Sequence, residues 1–322
     1  MPQPIPGIHH ITAIAGDPQQ NLGFYTGILG LRLVKLTINF DDPATYHLYY
    51  GNESGTPGTI LTFFPWPGAP KGRRGTGQAA VVSFAIPAGS APFWRERLKA
   101  SRIPFDRPFP RFDEQGLAFA DPDGLRLELI ETAAGTEPWR QGPVPAEHAI
   151  RGFHSVTLAE QSNDATAAFL SGVMGFRKAG ESGNRLRYSA GDAAGSTIDL
   201  LSVPEQRRGM IAVGTVHHVA WRTPDDAEQR GWQGQIAASG HDVTAVMDRK
   251  YFHSIYFHEP GGVLFEIATD PPGFTVDEPL EQLGRRLMLP PWLEPQRARI
   301  EEALPKLKLP EGGRAGALSG GR

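Results

Sequence analysis

Two pairs of adjacent histidines, His9–His10 and His217–His218, begin two similar stretches of the chain, GIHHITAIAGD and GTVHHVAWRTPDD. The sequence has ten histidines and no cysteine, so any metal ion would be held by imidazole, carboxylate or water. Glu266 lies in the apolar stretch VLFEIA, where a carboxylate is costly unless it binds a cation or hydrogen-bond donors. These residue types could form a metal site or supply acid–base groups near neutral pH.

The composition limits which partners the chain could have. Its 322 residues, 40% hydrophobic and 21% charged, suit a globular protein of two domains. A formal net charge of -3 provides no basic footprint for nucleic acid or for a membrane surface. We find no apolar run of transmembrane length and no signal-peptide pattern, so we expect a cytoplasmic protein without nucleic-acid or membrane partners. The sequence leaves open whether it forms a homo-oligomer.

The chain contains an internal repeat. Residues 24–32 (FYTGILGLR) resemble residues 169–177 (FLSGVMGFR), and residues 121–130 (DPDGLRLELI) resemble residues 259–268 (EPGGVLFEIA). The first motif predicts the end of a helix, a glycine turn and a strand, and the second predicts a turn followed by an apolar strand with one acidic residue. The repeat divides the chain into four modules, near residues 7–66, 77–132, 150–203 and 214–270.

Each module is predicted to be a strand, then a helix, then about three strands, which makes an α+β protein. We assign modules 1 and 2 to residues 1–145 and modules 3 and 4 to residues 146–275. The glycine- and proline-rich stretch at residues 132–148 links these halves. Residues 276–322 are predicted to form a short C-terminal helix and a flexible tail, to which we assign no chemistry.

These modules resemble the βαβββ units of the vicinal-oxygen-chelate superfamily, which includes glyoxalases, bleomycin-resistance proteins and extradiol dioxygenases. The resemblance covers roughly residues 7–275. It implies that the four modules form two cup-shaped domains with mixed sheets, and that a metal ion is held by residues of the first and last strands of a module.

Only modules 1 and 4 together offer two histidines and a carboxylate at these positions, so the resemblance assigns the metal ligands to His10, His218 and Glu266. Modules 2 and 3 offer no histidine there, which predicts a degenerate site kept for structure. Glu128 in that site is expected to pair with Arg126 or to face solvent. The positions concerned in modules 2 and 3 are Ala80, Glu128, Ser155 and Asp199.

A set of two histidines and one carboxylate leaves coordination positions on Fe(II) open for substrate and O₂. Apolar Leu61 stands where module 1 could supply a fourth ligand, which favours an open site over a closed structural one. His154 is a rival to His10, because the spacing of His154, His218 and Glu266 resembles that of catechol-type extradiol dioxygenases. An ungapped alignment of the repeat places His154 opposite the other histidine of the first pair and so favours His10.

Residues 248–274 (DRKYFHSIYFHEPGGVLFEIATDPPGF) and the two histidine pairs resemble a subgroup of ring-cleaving dioxygenases that act on hydroquinones and chlorohydroquinones. Neighbouring side chains of a regular strand point to opposite faces, so His9 and His217 are not expected to be ligands, although a bend at the strand entry would bring them to the rim of the site. By the resemblance, the catalytic residues are His9, His217, Tyr256 and Arg249, and the substrate-binding residues are Thr12, Arg249 and Tyr256.

The resemblance therefore implies an Fe(II)-dependent, extradiol-type ring-cleaving dioxygenase that inserts O₂, its co-substrate, into a hydroquinone-like aromatic diol. Mn(II) is an alternative to Fe(II). Three other functions remain open: a glyoxalase-like isomerase or lyase that does not use O₂, a catechol-type extradiol dioxygenase, and a binding module of the bleomycin-resistance type. The ring substituents of the substrate are not determined by the sequence.

Overall fold

The computed structural model describes residues 2–310 of the protein. Within that range, the chain forms sixteen strands arranged in two mixed sheets of eight strands each. Residues 311–322, the end of the segment predicted to form a helix and a flexible tail, lie outside the described residues. No helix in the described range is both long and apolar enough to cross a membrane.

All four predicted modules are present. Module 1 consists of β1 (Ile8–Ala15), α1 (Pro18–Leu22) with a π-helical turn (Gly23–Ile28), β2 (Arg32–Asn39), β3 (Asp42–Gly51) and β4 (Ile60–Pro65). Module 2 consists of β5 (Gln78–Ile86), α2 (Ala91–Ala100), β6 (Phe109–Arg111), β7 (Glu114–Ala120) and β8 (Arg126–Glu131). Module 3 consists of β9 (Phe153–Glu160), α3 (Asp164–Gly172), β10 (Arg177–Ser182), β11 (Arg185–Ser189) and β12 (Thr197–Ser202). Module 4 consists of β13 (Thr215–Thr223), α4 (Asp226–Ala238), β14 (Met247–Asp248), β15 (Phe252–His258) and β16 (Leu264–Pro272).

Local sequence explains where the helices begin and end. The Asp225 carboxylate accepts hydrogen bonds from two backbone N–H groups in the first turn of α4, which is the usual role of an aspartate N-cap. Gly30 and Gly175 occupy the same place in the two copies of the repeat, and their φ angles of +72° and +76° form the left-handed turn that leads into the next strand. A side chain at Gly30 would also collide with Val144.

Each sheet joins two modules through their first strands. One sheet has the order β14-β15-β16-β13-β1-β4-β3-β2 and combines modules 4 and 1, and the other has the order β10-β11-β12-β9-β5-β8-β7-β6 and combines modules 3 and 2. The first strands pair antiparallel, whereas the first and last strands within a module pair parallel. Each sheet thus takes one module from either side of residue 145, and the division of the chain into domains at that residue stays a prediction.

The C-terminal segment after β16 packs against module 1. The Met288 backbone N–H donates to the Leu36 carbonyl, and the ammonium group of the fully buried Lys35 contacts the carboxylates of Asp277 and Glu278. A short helix, α5 (Arg297–Ala303), follows in the region where the sequence predicts one. This segment therefore adds polar and apolar contacts to the outer strands of the sheet that contains β1 and β13.

Candidate metal centre

The two histidine pairs face each other across the β1–β13 ladder. The register of that ladder is regular at His10 and His218 but skips His9 and His217, so that each skipped histidine is the extra residue of a β-bulge. The bulges interrupt the alternation that would otherwise send neighbouring side chains to opposite faces. Both imidazoles of a pair consequently lie side by side, with ring centroids 5.1 Å apart in each pair.

Hydrogen bonds within each pair orient the inner histidines. The Nδ1 atoms of His9 and His10 are 2.9 Å apart, and those of His217 and His218 are 2.8 Å apart. These bonds occupy Nδ1 of His10 and His218 and leave their Nε2 atoms, 3.3 Å apart, facing each other. If each inner Nδ1 donates, each inner Nε2 presents a lone pair, and the outer histidines set the tautomer as second partners of metal-bound histidines commonly do.

Glu266 completes a group of three converging donor atoms. Its Oε2 lies 3.3 Å from His10 Nε2 and 3.0 Å from His218 Nε2, and all three residues are buried. Its Oε1 accepts a hydrogen bond from the Ser254 hydroxyl, whereas the buried Oε2 has no hydrogen bond of acceptable geometry. Within residues 2–310 this is the one cluster of at least three such side chains close enough to share an ion. The donor set fits a divalent cation with open coordination positions.

The charge states of these residues suit a cation. Burial alone would raise the pKa of Glu266, but His10 and His218 hold it well below its usual range. Burial lowers the pKa of His218, and burial together with His10 lowers that of His9. Burial and the neighbouring His218 lower the pKa of His217 to about 3. The carboxylate is thus ionised and the imidazoles of His9, His217 and His218 are neutral at pH 7. A metal ligand requires an ionised carboxylate or a neutral imidazole.

A cavity of about 350 Å³ adjoins the candidate ligands His10 and His218. This volume falls in the range typical of small-molecule sites. Many of the side chains in its walls are aromatic. The aromatic wall residues include Phe40, His47, Tyr49, Phe64, Trp66 and Phe252.

Tyr256 and Arg249, to which the resemblance gives catalytic and substrate-binding roles, line the same cavity as His10 and His218, and those roles stay predictions. Tyr256 on β15 pairs with Glu266 on β16, and its ring centroid is 5.7 Å from that of His218. Arg249 Nε donates to the Tyr256 hydroxyl at 3.4 Å, and Arg249 Nη1 forms an ion pair with Asp41 at 3.0 Å. Burial raises the pKa of Tyr256, so its hydroxyl keeps a proton to donate. The Asp41 side chain is 64% exposed, which places this ion pair at the mouth of the cavity.

The position of a fourth ligand is held by Thr62, and the prediction of Leu61 there is wrong by one residue. β1 and β4 pair Thr12 with Thr62 in the same way that β13 and β16 pair Ala220 with Glu266. Because neighbouring residues of a strand alternate between faces, Leu61 instead packs in the hydrophobic core. Threonine, like leucine, supplies no carboxylate or imidazole here, so the argument for an open site is the same with Thr62 as with Leu61. Thr12 is fully buried, and its hydroxyl lies 2.8 Å from that of Thr62.

His154 lies in the other sheet, on β9. Its Nε2 is 2.7 Å from Glu114 Oε1, and its Nδ1 is 2.9 Å from the Ser155 hydroxyl. Both ring nitrogens are therefore engaged away from β13 and β16, which carry the second histidine and the carboxylate. The structure brings His10, not His154, next to those two side chains.

The equivalent site between modules 2 and 3 is filled by arginine. Arg111 contacts both carboxylate oxygens of Glu128, at 3.1 and 2.6 Å, and Arg187 contacts both oxygens of Asp199, at 2.8 and 3.0 Å. The prediction that Glu128 pairs with Arg126 or faces solvent is wrong, because the antiparallel β6–β7 hairpin brings Arg111 to that carboxylate. Planar guanidinium groups thus neutralise the buried carboxylates where the other sheet offers a cation site.

Arg111→Met should lower the free energy of unfolding by about 3 kcal/mol, because it leaves the Glu128 carboxylate buried without its counter-ion. Denaturant unfolding of both proteins measures this change. The matched control is Arg126→Met, whose partner Asp106 is 59% exposed, and here we expect a loss of at most about 1 kcal/mol. Equal losses in the two variants would show that the buried pair contributes no more to the free energy of unfolding than the exposed pair.

His47 and Tyr49 are cavity residues that the sequence reasoning missed. Both lie in TYHLYY on β3, two residues apart and therefore on one face of that strand. A polar residue in an otherwise apolar and aromatic strand is the signal that could have identified them. The repeated motifs did not identify these two residues, because neither motif includes β3.

Two sheets, each built from two βαβββ modules, with a His–His–carboxylate group on one of them, define a protein of the vicinal-oxygen-chelate type. The family pattern of the "Glyoxalase/Bleomycin resistance protein/Dioxygenase superfamily" matches residues 7–129 and 152–275. The chain belongs to this superfamily, which confirms the resemblance seen in the sequence.

Two individual relatives are similar to this chain over most of its length. MhqO of Bacillus subtilis (strain 168), provisionally named a ring-cleaving dioxygenase, is 51% identical over 299 residues, which are 92% of this chain and 95% of MhqO. The chlorohydroquinone/hydroquinone 1,2-dioxygenase of Sphingobium indicum is 38% identical over 303 residues, covering 91% of this chain and 94% of that enzyme.

Two solved structures have a fold similar to that of this chain. A crystal structure of a provisionally named dioxygenase from Bacillus subtilis subsp. subtilis str. 168 matches with a TM-score of 0.93 and 50% identity, over 96% of this chain and 99% of that one. Glyoxalase I from Zea mays matches with a TM-score of 0.61 and 18% identity, over 82% and 92% of the two chains. The second match supports the fold alone.

Proposed function

We propose that the protein is a ring-cleaving dioxygenase that acts on hydroquinone-like aromatic diols, with Fe(II) held by His10, His218 and Glu266 and with O₂ as co-substrate. The observation that carries this proposal is the convergence of two imidazole nitrogens and one carboxylate oxygen beside an aromatic cavity. The names of the relatives, which share 38–51% identity with the chain over most of its length, support the same activity. When bound, the ion would supply a Lewis-acidic, redox-active centre for the diol and O₂.

The protein's own residues then bind, orient and protonate. His9 and His217 hold the inner histidines through their Nδ1 atoms. Arg249 carries a permanent positive charge that stabilises a deprotonated diol oxygen, and its ion pair with Asp41 fixes its direction. The protonated Tyr256 hydroxyl, next to His218, is placed to donate a hydrogen bond or a proton to oxygen at the reacting end of the substrate.

The alternatives are less well supported. A site closed by four protein ligands would need a donor such as glutamate at Thr62, and a threonine stands there. The catechol-type ligand spacing requires His154, which lies in the other sheet. A pure binding module has no evident need for a buried group of two histidines and a carboxylate, which costs free energy unless a cation compensates it.

Oxygen uptake by protein loaded with Fe(II) under anaerobic conditions tests the proposed function. We expect hydroquinone and chlorohydroquinone to consume about one O₂ per molecule, with loss of their aromatic absorbance, and catechol and gentisate to react much more slowly. A parallel sample loaded with Mn(II) shows which metal supports the reaction. Absence of uptake with every diol, from a sample whose metal content is one per chain, would contradict the proposal.

A further inference from the structure

A chain of four hydrogen-bonded side chains runs from the protein interior to the cavity. Thr12 Oγ1 lies 2.8 Å from Thr62 Oγ1, Thr62 Oγ1 lies 2.8 Å from His47 Nε2, and His47 Nδ1 lies 2.8 Å from the Tyr49 hydroxyl. Both threonines are fully buried, whereas His47 and Tyr49 line the cavity. This series of hydrogen bonds therefore has one end in the interior and one end where a substrate would bind.

Secondary structure holds this chain in place. β3 and β4 pair Tyr49 directly with Thr62, and β1 and β4 pair Thr12 with Thr62. The His47 ring packs on Tyr49 and on Phe64, with centroid distances of 4.0 and 4.4 Å. The four polar groups are thus positioned before any ligand arrives, which lowers the entropic cost of using them.

The hydrogen bonds can run in one of two directions. Burial lowers the pKa of His47 well below its usual value, so the ring is neutral, and one nitrogen donates while the other accepts. If Tyr49 donates to His47 and His47 donates to Thr62, one hydroxyl hydrogen of the buried Thr12–Thr62 pair has no acceptor among residues 2–310. Such a buried donor is costly.

In the opposite direction Thr12, Thr62 and His47 each have an acceptor. Thr12 donates to Thr62, Thr62 donates to His47 Nε2, and His47 Nδ1–H donates to the Tyr49 oxygen. The Tyr49 hydroxyl hydrogen is then the one donor left over, and it belongs to a residue of the cavity wall. The favoured direction therefore makes Tyr49 a hydrogen-bond donor to a bound molecule.

We propose that Tyr49 donates a hydrogen bond to the diol oxygen that does not bind the metal, with His47 and Thr62 as the residues that position it. This inference rests on the proposed function. The two oxygens of a para-diol lie at opposite ends of the ring, so a metal ion can take only one of them. The other oxygen would lose its hydrogen bonds to water in an aromatic cavity, and a preorganised hydroxyl compensates this loss. Tyr49 would accordingly help to select rings that carry a second oxygen.

The test compares Tyr49→Phe with wild type for two ligands, hydroquinone and 4-methylphenol, in which a methyl group replaces the second hydroxyl. Binding to Fe(II)-loaded protein is measured anaerobically by tryptophan fluorescence, since Trp66 lines the cavity. We expect hydroquinone to bind about 5–10-fold more weakly to the variant, the range for one lost hydrogen bond, and 4-methylphenol to bind equally to both proteins. The matched control is Tyr50→Phe, whose hydroxyl donates to Asn21 away from the cavity, and it should change neither affinity.

Thr62→Val removes the link between Thr12 and His47 without removing Tyr49. Hydroquinone should bind about 2–5-fold more weakly, because His47 loses the partner that sets its tautomer. The control is Thr37→Val, whose buried hydroxyl donates to the Met288 carbonyl, and no change is expected there. Iron content is measured in every variant to exclude loss of the metal.

Several outcomes overturn the inference. Equal affinity of Tyr49→Phe and wild type for hydroquinone would do so, as would equal weakening of hydroquinone and 4-methylphenol, which would indicate a loosened cavity. In either case normal hydroquinone turnover by the wild-type protein leaves the proposed function intact. If the iron-replete wild-type protein neither binds nor oxidises hydroquinone, the proposed function fails and this inference fails with it.

Discussion

We expect His10→Ala and Glu266→Ala each to lose tight Fe(II) binding, with oxygen uptake with hydroquinone falling to background. The physical reason is that the site needs all three donor atoms, which lie 3.0–3.3 Å from one another and are the one such group among residues 2–310. Removal of one leaves two donors, and in Glu266→Ala it also removes the negative charge that offsets a divalent cation. Iron content after gel filtration and oxygen uptake measure the two effects.

His154→Ala is the control for this experiment. His154 repeats the position of a first-strand histidine, but its nitrogens contact Glu114 and Ser155 on the other sheet. We expect this variant to keep one iron per chain and to turn over hydroquinone. Iron loss in His154→Ala together with retention in His10→Ala would refute the assignment of the ligands.

Tyr256→Phe should keep its iron but turn over hydroquinone about 100-fold more slowly or worse, since loss of a group that transfers a proton commonly costs roughly 10²–10⁴-fold in rate. Burial raises the pKa of Tyr256 and so keeps its proton, while Arg249 orients the hydroxyl beside His218. The ring is retained in the variant, so the packing changes little. Steady-state oxygen uptake at saturating hydroquinone, with iron analysis of the same sample, provides the measurement.

Tyr46→Phe is the matched control, because the Tyr46 hydroxyl donates to the Pro305 carbonyl and is not part of the cavity wall. This variant should be as active as wild type. An iron-replete Tyr256→Phe with wild-type activity would show that Tyr256 has only a structural role. Loss of iron from Tyr256→Phe would instead place it in the scaffold of the site and leave proton transfer without support.

The two sheets show how one fold accommodates buried carboxylates in two ways. In one sheet Glu266 faces the Nε2 atoms of two histidines, which leaves room for a cation and for ligands of that cation. In the other sheet Glu128 faces the guanidinium of Arg111, which satisfies both oxygens. Because a guanidinium is a fixed donor with no open position, the second arrangement can stabilise the fold but cannot exchange ligands.

The sequence by itself determined the modules and the residue types of the candidate site. Helix ends, glycine turns and apolar strands depend on short stretches, so the copies of the repeat are recognisable without the structure. The resemblance to the superfamily, applied to the residue types at equivalent positions of the modules, assigned His10, His218 and Glu266. The inference that modules 1 and 4 share the site also followed from the types of residue at equivalent positions.

Only the tertiary structure decided which side chains actually meet. The bulges at His9 and His217 arise in the ladder between two strands about 200 residues apart in the chain, and nothing local specifies an extra residue there. The identity of Thr62 at the fourth position and the pairing of Glu128 with Arg111 depend in the same way on strand register, where a shift of one residue reverses the face. Register is set by long-range pairing, so a single sequence read locally does not contain it.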